Sequence, residues 1–200
     1  QNAGFMVSSA LFGMMFGAIT LGTLADRIGR RWAIVICIGL FSVFTAAAGF
    51  THDPYVFSAM RFLAGLGIGG VMPNVVAQMT EYSPRKIRAT MVTLMFSGYA
   101  VGGMLAAILG KGLLEQYGWQ SVFLAAGVPV LLIPFVLKSM PESMPFLVRQ
   151  GRLDELKATL MRLDPSYRPQ AGDSFDLPAV DRASGAPVGK LFHEGRGFST

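Results

Sequence analysis

Five stretches without a single Asp, Glu, Lys or Arg constrain this chain more than any other feature: residues 1–25, 32–52, 62–80, 89–110 and 116–137. A helix needs about 20 mostly apolar residues to cross a bilayer, and 18 or more uncharged ones make it a candidate. Every stretch reaches that length, so five spanning helices are expected. Inside lipid each backbone polar group must be satisfied within the protein, which restricts spanning segments to helices and closed barrels. The composition agrees, with 14% charged residues against about a quarter in soluble domains, and with a mean hydropathy of +0.48.

The net charge of +5 raises nucleic acid as a partner. That partner is rejected, because the basic residues sit in short connections rather than along a face interleaved with aromatics. Arg27, Arg30 and Arg31 occupy one connection and Arg85, Lys86 and Arg88 another. The intervening connections hold only His52 and Asp53, or Lys111 and Glu115. Positive loops face the cytoplasm, so the connections at Asp26 and Arg85, and the basic tail after Leu137, are expected there. Cys37 is the one cysteine, and His52 and His193 have no ligand partners nearby in sequence. No metal site, cofactor site, catalytic residue or enzyme function is expected. The first apolar run is too long for a signal peptide and lacks a basic start, and the chain begins within a helix, which reads as a fragment.

The first basic connection reads Gly22-Thr23-Leu24-Ala25-Asp26-Arg27-Ile28-Gly29-Arg30-Arg31. It resembles the G-x-L-A-D-R-x-G-R-R/K signature between the second and third helices of major facilitator superfamily transporters. Asp26 and Arg30, four residues apart, have the spacing for a charge-assisted pair near a helix end, and Gly22 is expected to permit close approach. The resemblance implies that Asp26 also meets a helix from the other half of the transporter, as part of a latch in the outward-facing state. An ordinary basic loop that fixes topology is compatible with the same residues.

The third span starts near Tyr55, which puts Arg61 several residues inside the membrane. An intramembrane charge costs at least about 2.5 kcal/mol, so it normally faces a cavity or a partner; the alternative is an arginine snorkelling to the outer headgroups. Arg61-Phe62-Leu63-Ala64-Gly65-Leu66-Gly67-Ile68-Gly69-Gly70 resembles the R-x-x-x-G-x-G-x-G motif of the superfamily's fourth helix. The same glycines spell G-x-G-x-x-G, but a dinucleotide site needs a strand before that motif, and these glycines lie midway along an uncharged helical run. Pro73 should kink the helix. At about 100° per residue, Asn74, Gln78 and Glu81 form one polar stripe, and Arg61 projects almost oppositely. Asn74 and Gln78 read equally as substrate contacts and as interhelical hydrogen-bond glue. Glu81 is placed to pair with Arg30 or Arg88 at the cytoplasmic edge.

Small residues recur every fourth position in the first span (Ser9, Gly13, Gly17) and the fourth (Gly98, Gly102, Ala106, Gly110), the pattern of close helix packing. The fifth span carries Pro129 and Pro134. Pro141-Glu142-Ser143-Met144-Pro145-Phe146-Leu147 resembles the P-E-S-P-R-[FW]-L segment of sugar porters and aromatic-acid symporters, with Met144 and Pro145 in place of the family's Pro and Arg. Residues 153–163 space leucines as an amphipathic surface helix.

Within the superfamily the chain is most similar to the bacterial aromatic acid:proton symporters, through Met72-Pro73-Asn74, Glu81-Tyr82, 92–98 and 118–123. The resemblance implies an all-α membrane fold: a partial N-terminal six-helix bundle without its first helix. Residues 1–137 would form helices two to six, 138–190 a cytoplasmic central loop and 191–200 the lead into helix seven. It implies proton-coupled uptake of a small organic anion, such as an aromatic carboxylate, across the bacterial inner membrane. Its partners would be the proton, the lipid bilayer and the C-terminal half of the same transporter. Arg61, Asn74 and Gln78 would contact substrate; Gly22, Asp26, Arg30, Arg31, Glu81 and Arg88 would govern cytoplasmic closure. A sugar or other metabolite is the alternative cargo, and a non-transporting membrane protein that binds or senses a ligand the alternative from another class.

Overall fold

The structure, a computed structural model, describes residues 2–163, with the backbone alone described at residues 2, 3, 5 and 6. Residues 164–190 of the expected central loop and the lead-in at 191–200 lie outside the described residues. Four long helices come first: α1 (Asn2–Ile28), α2 (Arg30–Ala48), α3 (Pro54–Tyr82) and α4 (Arg88–Tyr117). The fifth span runs from Trp119 to Ser139. It divides into α5 (Trp119–Ala125), a 3-10 turn (Val128–Leu132) and α6 (Ile133–Ser139), and is followed by α7 (Met144–Arg149) and α8 (Leu153–Leu163). No strand occurs among the described residues, which removes the setting a dinucleotide loop would need.

The helices begin and end for local reasons. Gly29 (φ 95°) and Gly118 (φ 80°) each form a one-residue break between helices, in a left-handed conformation that only glycine adopts without penalty. Asp53 caps α3, its Oδ1 accepting from the Tyr55 N–H at 2.8 Å, and Pro54 takes the first helical position, where its missing donor costs nothing. The fourth helix differs from the sequence expectation. Lys111 and Glu115 lie on α4 and not in a connection, since charge does not break a helix and the backbone turns only at Gly118. The fifth span is segmented because Pro129 and Pro134 cannot donate to the carbonyls four residues back. Val130 bonds instead to the Gly127 carbonyl at 3.1 Å.

The core of the bundle is α3 seated between α1 and α2. Lipid is as apolar as leucine, so helices associate in a membrane through close contact rather than hydrophobic exclusion. A methyl group on Gly13 or Gly17 would overlap the Phe62 or Leu66 carbonyl, and one on Gly65 or Gly69 would overlap the Ala10 or Met14 carbonyl. Gly67 faces the other side, where a Cβ would stand 2.7 Å from the Phe41 nitrogen. One glycine-rich stretch of α3 therefore receives two helices, backbone against backbone. Gly22 does not take part as expected: a Cβ there would meet only the Pro73 ring at an ordinary 3.9 Å.

By contrast α4 buries none of its residues, and a Cβ added at Gly98, Gly102 or Gly110 of its ladder would meet no other helix within 4 Å among the described residues. Leu105, Ile108, Leu131 and Phe135 are all more than half exposed, an apolar surface too large for water and suited to acyl chains. Gly69→Val is expected to overpack the α1–α3 contact, at a cost of about 1 to 3 kcal/mol, and to lower the melting temperature in detergent. Gly112→Ala, where a Cβ meets nothing within 4 Å, should leave it unchanged or raise it.

Candidate functional site

Two groups of polar residues stand at opposite ends of α3. Arg61 is in its second turn, whereas Asn74 and Gln78 lie 13 and 17 residues further on. At about 1.5 Å per residue, those intervals separate them from Arg61 by roughly 20 and 25 Å. The structure does not bring the three residues to one point.

At the first end, the half-buried Arg61 lies over the ring of Phe123, with its guanidinium carbon 5.9 Å from the centroid. Phe123 is itself held edge-on by Phe57 at 5.5 Å and Trp119 at 5.8 Å. An aromatic face offers a cation an electrostatic partner within a poorly hydrated site. Arg61 is thus tied to the fifth span, which sequence spacing did not foresee. Beside this cluster opens a cavity of about 430 Å³ lined by Thr51, His52, Asp53, Pro54, Phe57 and Trp119.

Asn74 is buried between α1 and α3, where its Nδ2 donates to the Gly70 carbonyl at 2.8 Å and the Leu21 carbonyl at 3.4 Å. Gln78 donates through Nε2 to the Pro141 carbonyl at 2.9 Å, and its Oε1 is buried without a partner among the described residues. Both amide donors therefore serve interhelical and loop contacts, leaving their acceptor oxygens.

The second end carries a network that sequence indicated only in part. Arg30 forms an ion pair with Glu81, and both side chains are about four-fifths buried. Glu81 Oε2 also accepts from the Ser143 hydroxyl at 2.9 Å. The expected Asp26–Arg30 pair is absent: Asp26 is exposed, without an ion partner among the described residues, because the Arg30 guanidinium crosses to α3 instead. Arg88 is exposed at the start of α4, beyond the Ser83 to Ile87 turn, and does not meet Glu81.

Glu142 was not singled out as a site residue, yet it stitches the network together. It is buried, and its Oε1 accepts from the backbone N–H groups of Arg31 at 3.1 Å and Ser143 at 3.0 Å. Gly29, which precedes α2, has no side chain to cap that helix. The Glu142 carboxylate fills the vacancy from a distant part of the chain, against the positive helix end. A Cβ on Gly29 would come within 2.6 Å of Glu142 Oε2, so Gly29 is required for space as well as for backbone angle. The Tyr82 hydroxyl donates to the Glu142 carbonyl at 2.5 Å. The available signal was the coincidence of an uncapped helix start with an isolated Pro-Glu-Ser.

Comparison with known proteins places this geometry in context. The Sugar (and other) transporter family profile matches residues 1–177. The chain is 47% identical, along its full length, to a benzoate transport protein of Acinetobacter baylyi and covers 44% of that protein. It is 35% identical over 98% of its length to a gallate transporter of Pseudomonas putida, again covering 44%. It is 37% identical over 88% to the 4-hydroxybenzoate transporter PcaK of Pseudomonas putida, covering 40%. The chain thus spans less than half the length of these relatives. Its fold is similar to that of the proton:xylose symporter XylE bound to 6-bromo-6-deoxy-D-glucose, with a TM-score of 0.74 at 23% identity over 82% of this chain and 40% of that one.

Two measurements test the network. Arg30→Ala and Glu81→Ala, singly and together, should show a coupling of about 1 kcal/mol or more in detergent unfolding; strict additivity would mean the pair is not formed. Glu142→Ala should cost about 0.5 to 2 kcal/mol as a lost helix cap, with Glu142→Gln retaining part of the stability because an acceptor oxygen remains.

Proposed function

Since the chain belongs to the Sugar (and other) transporter family within the major facilitator superfamily, we propose that it is part of a proton-coupled importer of small aromatic carboxylates. The importer works by alternating access of two helical halves around a site near the bilayer midplane. The 47% identity along the whole chain to a protein named for benzoate transport carries this reading. Relatives named for gallate, gentisate and 4-hydroxybenzoate transport support the same cargo class. The C-terminal half, the proton and the anion complete the proposed assembly. The bacterial inner membrane is its proposed location, with the Asp26 and Arg85 loops and the segment after Leu137 on the cytoplasmic side.

Arg61 supplies the positive charge for the cargo carboxylate, and the Phe123 face keeps its guanidinium inside the membrane rather than at the headgroups. Phe57 and Trp119 extend an aromatic wall beside it. Asn74 and Gln78 supply acceptor oxygens for ring hydroxyls. Because these lie some 20 Å or more from Arg61 along α3, they act at a later stage of passage rather than in the same binding pose.

Cytoplasmic closure is assigned to Arg30, Arg31 and Glu81, with Gly22, Asp26 and Arg88 on the surface that meets the other half. The Arg30–Glu81 pair bridges α2 and α3, and Ser143 and Glu142 lock the loop after the fifth span onto both. Asp26, exposed and without an ion partner among the described residues, is left available to meet the other half.

The experiment is uptake of radiolabelled benzoate by cells carrying the full-length transporter. Uptake should collapse with a protonophore and be competed by 4-hydroxybenzoate but not by xylose. Competition by sugars alone would reassign the cargo to the metabolite alternative, and ligand binding without uptake would favour the sensing protein. Arg61→Ala should lower uptake at least tenfold at unchanged membrane abundance; normal uptake would remove Arg61 from the mechanism.

A further inference from the structure

We propose that the small cavity between the start of α2, the end of α6 and α8 binds the phosphate of an anionic phospholipid headgroup in the leaflet facing the basic loops. The cavity is about 210 Å³ and is lined by Arg31, Lys138, Glu142, Leu147, Glu155 and Arg162, among others. Small-molecule sites usually start near 300 Å³, so it is undersized for a drug-like ligand but has room for a single phosphate and its ester oxygens.

Its charge is not balanced from within. Three cations arrive from separate elements: Arg31 from the first turn of α2, Lys138 from the last turn of α6 and Arg162 from the last turn of α8. None of the three has an ion-pair partner among the described residues. The carboxylates on the wall offset this only in part, because Glu142 keeps its charge and Glu155 is already matched by Arg152. Glu142 accepts from the α2 backbone, and Glu155 is held by Arg152, whose Nε donates to it at 2.8 Å. The Arg31 Nε is closed off from solvent and has no acceptor among the described residues. With that N–H lacking an acceptor and no carboxylate paired to it, the Arg31 guanidinium keeps its charge unmatched, and an anion placed between the three cations would be attracted by all of them.

The position identifies the source of the phosphate. Lys138 lies in the final turn of the fifth span, which sets the cavity at headgroup depth. There α8 buries Leu156 against the protein and leaves Leu153, Met161 and Leu163 exposed, the arrangement of a helix lying along a membrane surface. Basic pockets at the cytoplasmic ends of spanning helices recognise anionic headgroups. A zwitterionic headgroup would bring its ammonium toward three cations, and therefore binds less well. In the orientation proposed above, this lipid joins α2, the fifth span and α8 next to the closure network. The site does not depend on the identity of the cargo.

The test uses the purified full-length transporter in detergent, with native mass spectrometry after titration with phosphatidylglycerol, phosphatidylcholine or phosphatidylethanolamine. Wild-type protein should retain phosphatidylglycerol at least fivefold better than either zwitterionic lipid. Lys138→Gln with Arg162→Gln should abolish that preference, each single variant should lose part of it, and Lys138→Arg with Arg162→Lys should keep it. Arg149→Gln, an equal charge change on the exposed end of α7, should leave the preference intact. Equal retention of the three lipids, or an unchanged preference in the double variant, overturns the site. Inorganic phosphate or benzoate raising the melting temperature as much as phosphatidylglycerol, with loss of that rise in the double variant, overturns the lipid assignment in favour of a soluble anion.

Discussion

The close approach of α3 to two neighbours at once is the contact on which the rest of this molecule depends. In water the exclusion of apolar side chains would hold such helices together, but acyl chains solvate leucine as well as another leucine does. What remains is short-range dispersion, which falls off steeply with any gap. The alternating glycines of α3 answer that problem by removing side chains on both of its faces, with Gly65 and Gly69 turned to α1 and Gly67 to α2. The motif that looks like a phosphate-cradling loop on paper is here a pair of helix seats.

The polar network at the far end of α3 builds on that seat. Once α1 and α2 are positioned by α3, the start of α2 lies beside the end of α3, and Arg30 reaches Glu81 instead of its sequence neighbour Asp26. The loop after the fifth span then closes over both helices. Glu142 caps α2, Gln78 and Tyr82 donate to the backbone of that loop, and Ser143 donates to Glu81. Each of these contacts satisfies a polar group that the membrane boundary would otherwise leave costly. The departure from the usual Pro-Glu-Ser-Pro-Arg segment does not disturb this arrangement, because the glutamate and serine carry the contacts.

The opposite end follows a different logic. A single guanidinium inside an apolar layer needs a partner, and the described residues supply an aromatic face instead of a carboxylate. Phe123 is a softer partner than an acid, and it leaves the charge of Arg61 unneutralised. That property suits a residue proposed to attract an anion, and it separates Arg61 from Arg30, whose charge is already matched.

Much of this was legible in the linear chain. The number of spans, their approximate limits, the packing role of Gly13 and Gly17 and the candidacy of Glu81 as a partner for Arg30 follow from local chemistry, namely length without charge, residue size and charge spacing. Four features did not follow: the pairing choice of Arg30, the capping by Glu142, the stacking of Arg61 on Phe123 and the segmented fifth span. The first three join residues 51, 111 and 62 positions apart, and a one-dimensional pattern holds no record of which distant groups a bundle will bring together. The fourth is partly local, since the two prolines were visible; the run of 3-10 backbone between them is how the chain absorbs two missing donors spaced five residues apart. The sequence alone therefore determined that this protein is a set of membrane helices with a charged hinge, because lipid admits only helices and closed barrels and uncharged runs of about 20 residues fit the helix. Only the tertiary structure decided which charges meet, because that choice rests on how closely glycine lets the helices approach.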